Sequence, residues 1–432
     1  MLENKNLLVI AYYFPPIKAI GSIRTYFLTK NLIKKDWNIL LFTTGGYKFL
    51  QNDKLLNKLK KVQYKYLPTF DLQMIKRLFN RKNYIKKEEN SVSFQKYTQK
   101  ISFFKKLRNS FPLNIHYEGG IIYIFFGILY GIYYIKKNNI KYIYSTFSPI
   151  SNHIVAYFLK LIYRNCYWVA DFRDLPFGDS ETVILFRALQ NKINKIIFTK
   201  TDAIVVVSEG LKHILEKYNH NIEIITNGFE FENHNNEPGF CEKEKNFTIT
   251  YTGALYGGKR DAEILFKSIQ ELKYENKIKD NIKLVYAGTD SSIWEMWASK
   301  YDIKECSDIR GELSLEDTKE LQRNSTVNLM LTWATKKEKG MLTGKFYEYL
   351  STMKPIVCLI NGEKDPEIEE KFKSINCGYI LYENTIELKQ VIEELYNKWE
   401  QNTLVNMYNK EELLKYTYNN LSMKLTNIYM SK

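Results

Sequence analysis

The chain has 432 residues, of which 45% are hydrophobic and 26% charged, and a net charge of +15. At about 150 residues per domain this length predicts two or three domains, and the composition is that of a globular protein rather than a disordered one. The five cysteines are scattered without a C-x-x-C pair, which argues against a disulfide framework or a zinc site and is typical of a reducing compartment. Since the N-terminus also lacks the layout of a signal peptide, we expect a cytoplasmic protein.

The positive charge is concentrated in residues 73–109. This segment has eleven Lys and Arg residues against two acids, Glu88 and Glu89, a net charge of +9, and aromatic residues are interleaved with the cations. Such a stretch suits an anionic membrane surface, and it would also suit nucleic acid or a solvated helical insertion. We expect membrane association here and no nucleic-acid partner.

The run from Gly119 to Ile135 is the one transmembrane candidate in the sequence. It is seventeen residues long, shorter than the ~20 that a span requires, and contains four glycines and four tyrosines. Lys136, Lys137 and a predicted strand at Ile140–Ser145 follow it. We therefore predict a buried helix that leads into a core strand.

Predicted strands and helices alternate from the start of the chain. Leu7–Tyr12 and Trp37–Phe42 are continuous apolar runs, the pattern of buried parallel strands, and Gly21–Lys34 between them has helical periodicity. Strand, helix and strand at this spacing predict a βαβ unit. Further strands are predicted at Tyr142–Tyr144, Tyr167–Ala170, Ala203–Val207 and Glu223–Ile225.

A polar peptide at residues 232–246 interrupts the alternation and predicts a linker. It separates an N-terminal domain, 1–231, from a second domain, 247–409, in which strands and helices alternate again, and 410–432 predicts a closing helix. The fold class is therefore α/β, with two Rossmann-like doubly wound parallel-sheet domains. In such a protein the ligand cleft is expected between the facing carboxyl ends of the strands.

Two turns place glycines where an anion could bind. The first βα turn lacks G-x-G-x-x-G but puts Gly21 at a helix start, where free N–H groups favour an anion, and Arg24 one turn inside. At the start of the second domain, Gly253 opens a glycine-rich loop that ends in Lys259 and Arg260, so that backbone and cations could approach a phosphate together. Structural glycines and a flexible loop with solvated cations are the alternatives.

A third motif combines Thr343, Gly344 and Lys345 at a predicted helix start with Glu348 one turn further. Lys345 and Glu348 face the same side of the helix. The carboxylate suits two ribose hydroxyls, while the lysine and the helix start suit a phosphate. An ordinary i,i+3 ion pair is the alternative.

Charged residues also follow a buried strand of the first domain, at Asp171, Arg173 and Asp174. Charges at such a place are costly unless they are paired or lie in a cleft. They are therefore either site residues or members of an internal ion pair. His153, at another helix start, is either a neighbour of this site or a core histidine.

Six short motifs in one order resemble glycosyltransferase family 4: YYFPP with a following G-x-x-R, ADFRD, TDAIVVVSEG, TNGF, TGALYGGKR and TGKFYEYL. The resemblance covers nearly the whole chain and is weakest over 45–140. That family contains retaining enzymes of the GT-B fold, many of which build capsule, O-antigen or exopolysaccharide. The resemblance implies a UDP- or GDP-linked sugar donor, a glycan or lipid-diphosphate-linked acceptor, and a peripheral location on the inner face of the cell membrane.

The resemblance also assigns roles to residues. Gly21 would lie near the donor phosphates, Lys259 and Arg260 would bind the diphosphate, and Glu348 would hold the ribose. Much of the family has a second glutamate eight positions before the ribose-binding one, and this chain has Gly340 there. Thr343, Gly344 and Lys345 would then provide part of the donor contacts that this glutamate makes in the family. The remaining candidates are Arg24 and Gly253 for the donor, Asp171, Arg173 and Lys259 for catalysis, and His153 and Asp174 on the acceptor side.

The chemistry implied needs neither a metal nor a resident cofactor. The sequence has no D-x-D pair, and its five histidines lack ligand spacing. Cations and helix N-termini would instead stabilise the departing nucleoside diphosphate. Two alternatives remain open: a catalytically inactive GT-B scaffold at the membrane, which Gly340 favours, and a nucleotide-sugar 2-epimerase.

Overall fold

A computed structural model describes residues 5–44 except 16, 18 and 19, and residues 59, 61–70, 72, 106, 110, 112–117, 119–174, 183–231, 245–335, 342–405 and 408–431. Nearly all of the basic segment 73–109, most of the predicted linker and Gly340 lie outside the described residues. The chain divides into two compact units, one that ends at Asn227 and includes the C-terminal residues from Tyr418, and one that runs from Gly228 to Thr417.

The first unit contains a seven-stranded parallel sheet in the order β3-β2-β1-β4-β5-β6-β7. Its strands are β1 Asn6–Ile10, β2 Asn38–Thr44, β3 Gln63–Leu67, β4 Tyr142–Thr146, β5 Tyr167–Phe172, β6 Ala203–Val206 and β7 Ile222–Ile224. Its helices are α1 Ile20–Ile33, α2 Leu113–Tyr117, α3 Gly120–Lys137, α4 Ser151–Ile162, α5 Ile184–Lys200 and α6 Glu209–Leu215.

The second unit contains a six-stranded parallel sheet in the order β10-β9-β8-β11-β12-β13. Its strands are β8 Phe247–Thr252, β9 Ile282–Ala287, β10 Ser307–Ile309, β11 Val327–Ala334, β12 Ile356–Gly362 and β13 Gly378–Leu381. Its helices are α7 Glu263–Tyr274, α8 Ser291–Lys300, α9 Leu315–Arg323, α10 Gly344–Thr352, α11 Pro366–Ile375, α12 Thr385–Glu400 and α13 Lys410–Leu414. The last helix, α14 Tyr418–Met430, belongs to the first unit.

Both faces of the first sheet are covered, because successive side chains of a strand point to opposite faces. Leu8 and Ile10 of β1 pack with apolar residues of α3, α4, α5 and α6, whereas Leu7 and Val9 pack with α1 and α14. Helices α3 to α6 therefore form one layer, and α1 and α14 form the other.

Each sheet has one point where its strand order reverses. In the first sheet the chain runs from β1 to the edge strand β3 and then returns beside β1 as β4. In the second sheet it runs from β8 to the edge strand β10 and returns beside β8 as β11. The loops that leave the carboxyl ends of these two central strands diverge, and the crevice between them is where open α/β sheets bind ligands. This places the loops after β8 and β11 in the favoured position of the second unit.

The predicted fold class, two doubly wound parallel-sheet domains, is confirmed. Three details differ. Strand β3 has no continuous apolar run and β13 has only four residues, and neither was predicted. The single closing helix is two helices, α13 and α14, in different units. The predicted burial of the helix at Gly119–Ile135 is also wrong, because one whole side of α3 is exposed.

Candidate nucleotide-sugar site

In the second unit, the turn after β8 and the start of α10, the helix that follows β11, are in contact. Gly253 directly follows β8 with a φ of +129°, a conformation that L side chains rarely adopt, and its N–H donates to the carbonyl of Ala287 at 2.7 Å. The ammonium of Lys345 lies against Gly253, in the space that a Cβ at position 253 would occupy. Two predicted motifs that are about ninety positions apart are therefore brought into contact.

Lys345 lies in the first turn of α10. Thr343 is the N-cap residue, without a side-chain cap bond, and the first turn contains no acidic residue. Burial lowers the pKa of Lys345, an effect that Glu348 partly offsets and Arg260 reinforces. Burial makes the charged form of this lysine costly, and the positive end of a helix lies beside it. An anion bound here would therefore be strongly attracted, because it would neutralise that charge.

The Glu348 carboxylate is held by α9. The side-chain amide of Gln322, which is 1% exposed, donates to Glu348 Oε2 at 3.4 Å and to Thr252 Oγ1 at 2.9 Å. Thr252 Oγ1 lies 3.3 Å from the hydroxyl of Tyr349. These contacts join the ends of β8, α9 and α10, so that Glu348 is oriented by buried polar partners.

Sequence reasoning missed Gln322 and also Lys319, which lies one turn before it on α9. Burial lowers the pKa of Lys319, and the carboxylates of Glu348 and Glu230 partly offset that shift. Lys319 and Lys345 therefore both act electrostatically on Glu348. The α9 sequence, LEDTKELQR, contains no motif that distinguishes these two residues from a solvated helix face.

The two cations that end the glycine-rich loop have different surroundings. Lys259 is exposed, and its ammonium lies 5.6 Å from the ring centroid of Trp333 at the end of β11. Arg260 is 5% exposed, donates at 3.3 Å to the Tyr251 hydroxyl and to the Ala254 carbonyl, and lies over the Tyr256 ring. The structure therefore gives Arg260 a bracing role in the loop and leaves Lys259 as the exposed ammonium, while the assignment of Arg260 as a diphosphate ligand stays a prediction.

In the first unit, Arg24 and Asp171 form an internal ion pair. Arg24 is 1% and Asp171 0% exposed, and the guanidinium binds both carboxylate oxygens at 3.1 Å. The Tyr144 hydroxyl donates to the same carboxylate at 2.6 Å, and the carbonyls of Ile225 and Thr226 accept the remaining Arg24 bonds. Burial alone lowers the pKa of Arg24, but the Asp171 charge more than offsets this, and the pKa is raised. Arg24 as a donor ligand and Asp171 as a catalytic group are therefore corrected to structural residues.

Gly21 and Arg173 lie together at the start of α1. The guanidinium of Arg173 occupies the space that a Cβ at position 21 would need, and it donates from two nitrogens to the carbonyl of Phe147, at 2.9 and 2.7 Å. Burial lowers the pKa of Arg173, partly offset by Asp171 and Asp174. Because Arg173 is only partly buried, it is the predicted cation of this unit that keeps access to a ligand.

His153 lies in the core of the first unit rather than on its surface. It is 0% exposed, its Nδ1 lies 2.7 Å from Ser145 Oγ, and its ring packs 4.4 Å from the ring of Phe172. The core interpretation therefore replaces the acceptor-side one, because a fully buried ring has no access to an acceptor. Asp174, the other acceptor-side candidate, is exposed.

Replacing His153 with glutamine should flatten the acid side of the stability profile. Burial lowers the pKa of His153 to about 3, against about 6.5 in an unfolded chain. Between these values the unfolded state binds a proton that the folded state excludes, so stability is full above pH ~6.5 and falls by up to about 1.4 kcal/mol per pH unit below it. Urea unfolding of the wild type, of His153→Gln and of the exposed control His116→Gln at pH 7, 6 and 5 measures this. Equal slopes for wild type and His153→Gln would contradict it.

Comparison with solved structures shows which known folds this arrangement shares. HepE from Anabaena, solved in complex with UDP-glucose, is 10% identical with a TM-score of 0.58, and 99% of this chain and 100% of that chain are covered. TarM from S. aureus, solved with UDP and alpha-GlcNAc-glycerol, is 12% identical with a TM-score of 0.57, covering 98% and 99%. A UDP-N-acetylglucosamine 2-epimerase is 13% identical with a TM-score of 0.54, covering 100% and 98%.

These likenesses extend over the whole of each chain and show the fold, which is GT-B. No protein-family model matches the sequence, and no curated protein matches it either. Membership of glycosyltransferase family 4 stays a prediction from the motifs.

Proposed function

We propose that this protein is a glycosyltransferase that takes a sugar from a nucleoside-diphosphate sugar, with the donor bound by its second unit. The observation that carries the proposal is the contact of Lys345 with Gly253, together with Glu348 one helical turn away. A phosphate-binding loop, a cation and a carboxylate suited to ribose thus meet at the strand-order reversal of one sheet.

The donor contacts follow from the chemistry of each group. The diphosphate lies at the start of α10, between the Lys345 ammonium and the exposed ammonium of Lys259, where the glycine backbone of the β8 loop allows close approach. Glu348, oriented by Gln322, accepts hydrogen bonds from the two ribose hydroxyls. Thr343 and Gly344 contribute the free backbone N–H groups of the helix start.

Transfer breaks the bond between the sugar C1 and the diphosphate oxygen, and the electron pair leaves with the diphosphate. Lys345 and Lys259 stabilise the charge that develops there. The acceptor oxygen forms the new bond to C1, and its proton passes to the departing phosphate. Retention at C1 and independence of metal ions are part of the proposal, and both rest on the family resemblance.

The acceptor is assigned to the first unit, and the resemblance is again the support. The exposed Asp174 is the acceptor-side candidate there, and Arg173 at the start of α1, a candidate for catalysis, is its neighbour in sequence. The acceptor would be a glycan, either free or linked to a lipid diphosphate. The arginine and the helix start both provide N–H donors for its hydroxyl or phosphate oxygens. A role in capsule, O-antigen or exopolysaccharide synthesis at the inner face of the membrane follows from that acceptor class.

The test is an incubation of purified protein with UDP- and GDP-linked sugars, with and without mixed glycan acceptors, followed by NMR of the products. We expect release of one nucleoside diphosphate that increases with acceptor, and an α- or β-linkage that matches the donor. Added EDTA should leave the rate within about twofold, because lysines rather than a metal neutralise the leaving group.

Two other outcomes would overturn the proposal. Conversion of the nucleotide sugar to its 2-epimer would assign the chain to the epimerase class, whose fold it also shares. Absence of any turnover or nucleotide binding in a cooperatively folded protein would indicate an inactive scaffold, the interpretation that Gly340 favours.

A further inference from the structure

The outer side of α3 exposes an unbroken apolar stripe. Gly120, Tyr123, Gly127, Gly131 and Ile135 form the buried side of this helix. The opposite side is formed by Ile121, Ile122, Phe125, Leu129 and Tyr133, with exposed fractions of 59, 41, 60, 49 and 54%. Soluble proteins tolerate single exposed apolar side chains, but a contiguous row along four helical turns indicates an interaction surface.

The two neighbouring helices of the same layer also expose apolar residues. Gly127 and Gly131 of α3 lie against Val155 and Leu159 of α4, so the two helices run side by side at the same level. Helix α4 packs in turn against α5. The exposed apolar residues of these two helices are Phe158, Leu161 and Ile162 of α4 and Ile184, Leu185 and Leu189 of α5.

The charge of these helices has one sign. Helices α3, α4 and α5 together contain seven Lys and Arg residues and no Asp or Glu. Lys136 and Lys137 end α3, and Lys192 and Lys195 follow the exposed leucines of α5; all four are exposed. Apolar residues flanked by cations without any acid are the composition of helices that lie in an anionic lipid interface.

We propose that the surface formed by α3, α4 and α5 docks this protein onto an anionic lipid bilayer, with the α3 stripe inserted among the headgroups and acyl chains and the lysines at the lipid phosphates. This surface belongs to the described residues of the first unit and includes no residue of the basic segment 73–109. The proposal does not depend on the donor site, because no residue of that site takes part in it.

Two other occupants fit the surface less well. Among the described residues, α3 is the one helix long and apolar enough to cross a membrane by length and composition, but one side of it is packed on α4 and it leads directly into β4 at the centre of the sheet. A second copy of the chain would bring together two surfaces that carry cations and no acids, which is unfavourable. An anionic bilayer matches both the apolar stripe and the charge.

The test is flotation of the full chain with vesicles of phosphatidylcholine alone or with 30% phosphatidylglycerol, at low and high salt. The stripe variant is Phe125→Gln with Leu129→Gln. Its matched control, Tyr274→Gln with Ile386→Gln, changes two exposed apolar residues of the second unit (89 and 70% exposed). A charge variant is Lys136→Gln with Lys137→Gln. Nucleotide binding and the melting temperature of each variant report on folding and on the donor site.

We expect the wild type to float with the anionic vesicles, less so at high salt, and the control to match it. The stripe variant should bind at least about tenfold less, and the charge variant about 25-fold less, at about fivefold per lysine. Melting and nucleotide binding should be unchanged. Undiminished vesicle binding by the folded stripe variant would overturn the proposal, as would a wild-type dimer that the stripe substitutions make monomeric without any vesicle binding.

Discussion

Replacing Glu348 with alanine should lower kcat/KM for the nucleotide sugar by about two to four orders of magnitude, because two charge-assisted hydrogen bonds to ribose, at about 1.5–3 kcal/mol each, are lost together. Most of the loss should appear in KM, since the ribose is remote from the reacting C1 atom. The measurement is the initial rate of nucleoside diphosphate release over a range of donor concentrations.

The matched control is Glu370→Ala, which removes an exposed glutamate from α11 of the same unit. It should leave kcat/KM and KM within about twofold of the wild-type values, the usual range for a surface substitution. If Glu348→Ala keeps its kcat/KM within threefold of the wild type while folding normally, the ribose contact is wrong, and with it the placement of the donor at the start of α10.

Replacing Arg24 with methionine should destabilise the first unit by about 3–5 kcal/mol. The substitution leaves the Asp171 carboxylate, 0% exposed, with the Tyr144 hydroxyl but without its cation. It also leaves the carbonyls of Ile225 and Thr226 without their guanidinium donor. Urea unfolding at pH 7, followed by the fluorescence of Trp37 and Trp168 in the first unit, measures the loss.

The double variant Arg24→Met with Asp171→Asn separates the ion pair from other effects. Since it removes the unpaired charge, it should recover part of the stability that Arg24→Met alone loses. Asp171→Asn by itself should change stability more than catalysis measured on the folded fraction. A loss below about 1 kcal/mol for Arg24→Met, or a catalytic defect in a fully stable Asp171→Asn, would contradict the structural assignment of the pair.

The parallel sheets could be predicted from the sequence because buried parallel strands are apolar on both faces. In β1, Leu7, Leu8, Val9 and Ile10 are all buried, and the sequence accordingly contains a continuous apolar run. Strand β3 lacks such a run, since in Gln63–Leu67 only the last residue is buried, and it was missed. An edge strand does not need an apolar sequence on both faces, so one such as β3 can lack the apolar run by which buried strands are recognised.

The donor site could be predicted in part. Glycines at turns and a Lys–Glu pair at a helix start can be recognised from a few neighbouring residues, because their chemistry does not depend on the rest of the chain. The structure brings two of them, Gly253 and Lys345, together. The partners that orient these groups are set by tertiary packing. Gln322 reaches Glu348 from another helix, and Arg24 pairs with Asp171 across 147 positions, so neither contact has a local sequence signal.

The exposure of α3 is a further case in which sequence and structure diverge. An apolar run shorter than a membrane span predicts a buried helix, because burial is the usual way to remove such residues from water. In this fold the helix forms the outer layer of a sheet, and only the side that contains Gly127 and Gly131 reaches the core. The apolar residues on the other side are exposed, which is the observation behind the proposed lipid-docking surface.

The measurement that tests the central claim most directly is a thermal-shift screen of the wild type and Glu348→Ala with UDP, GDP, ADP and CMP. A nucleotide at one hundred times its dissociation constant stabilises the folded protein by about 2.7 kcal/mol, which raises the melting temperature by a readily measured amount. We expect a shift with UDP or GDP that Glu348→Ala abolishes. A protein that melts cooperatively and shifts with none of them, or equally in wild type and variant, would contradict it.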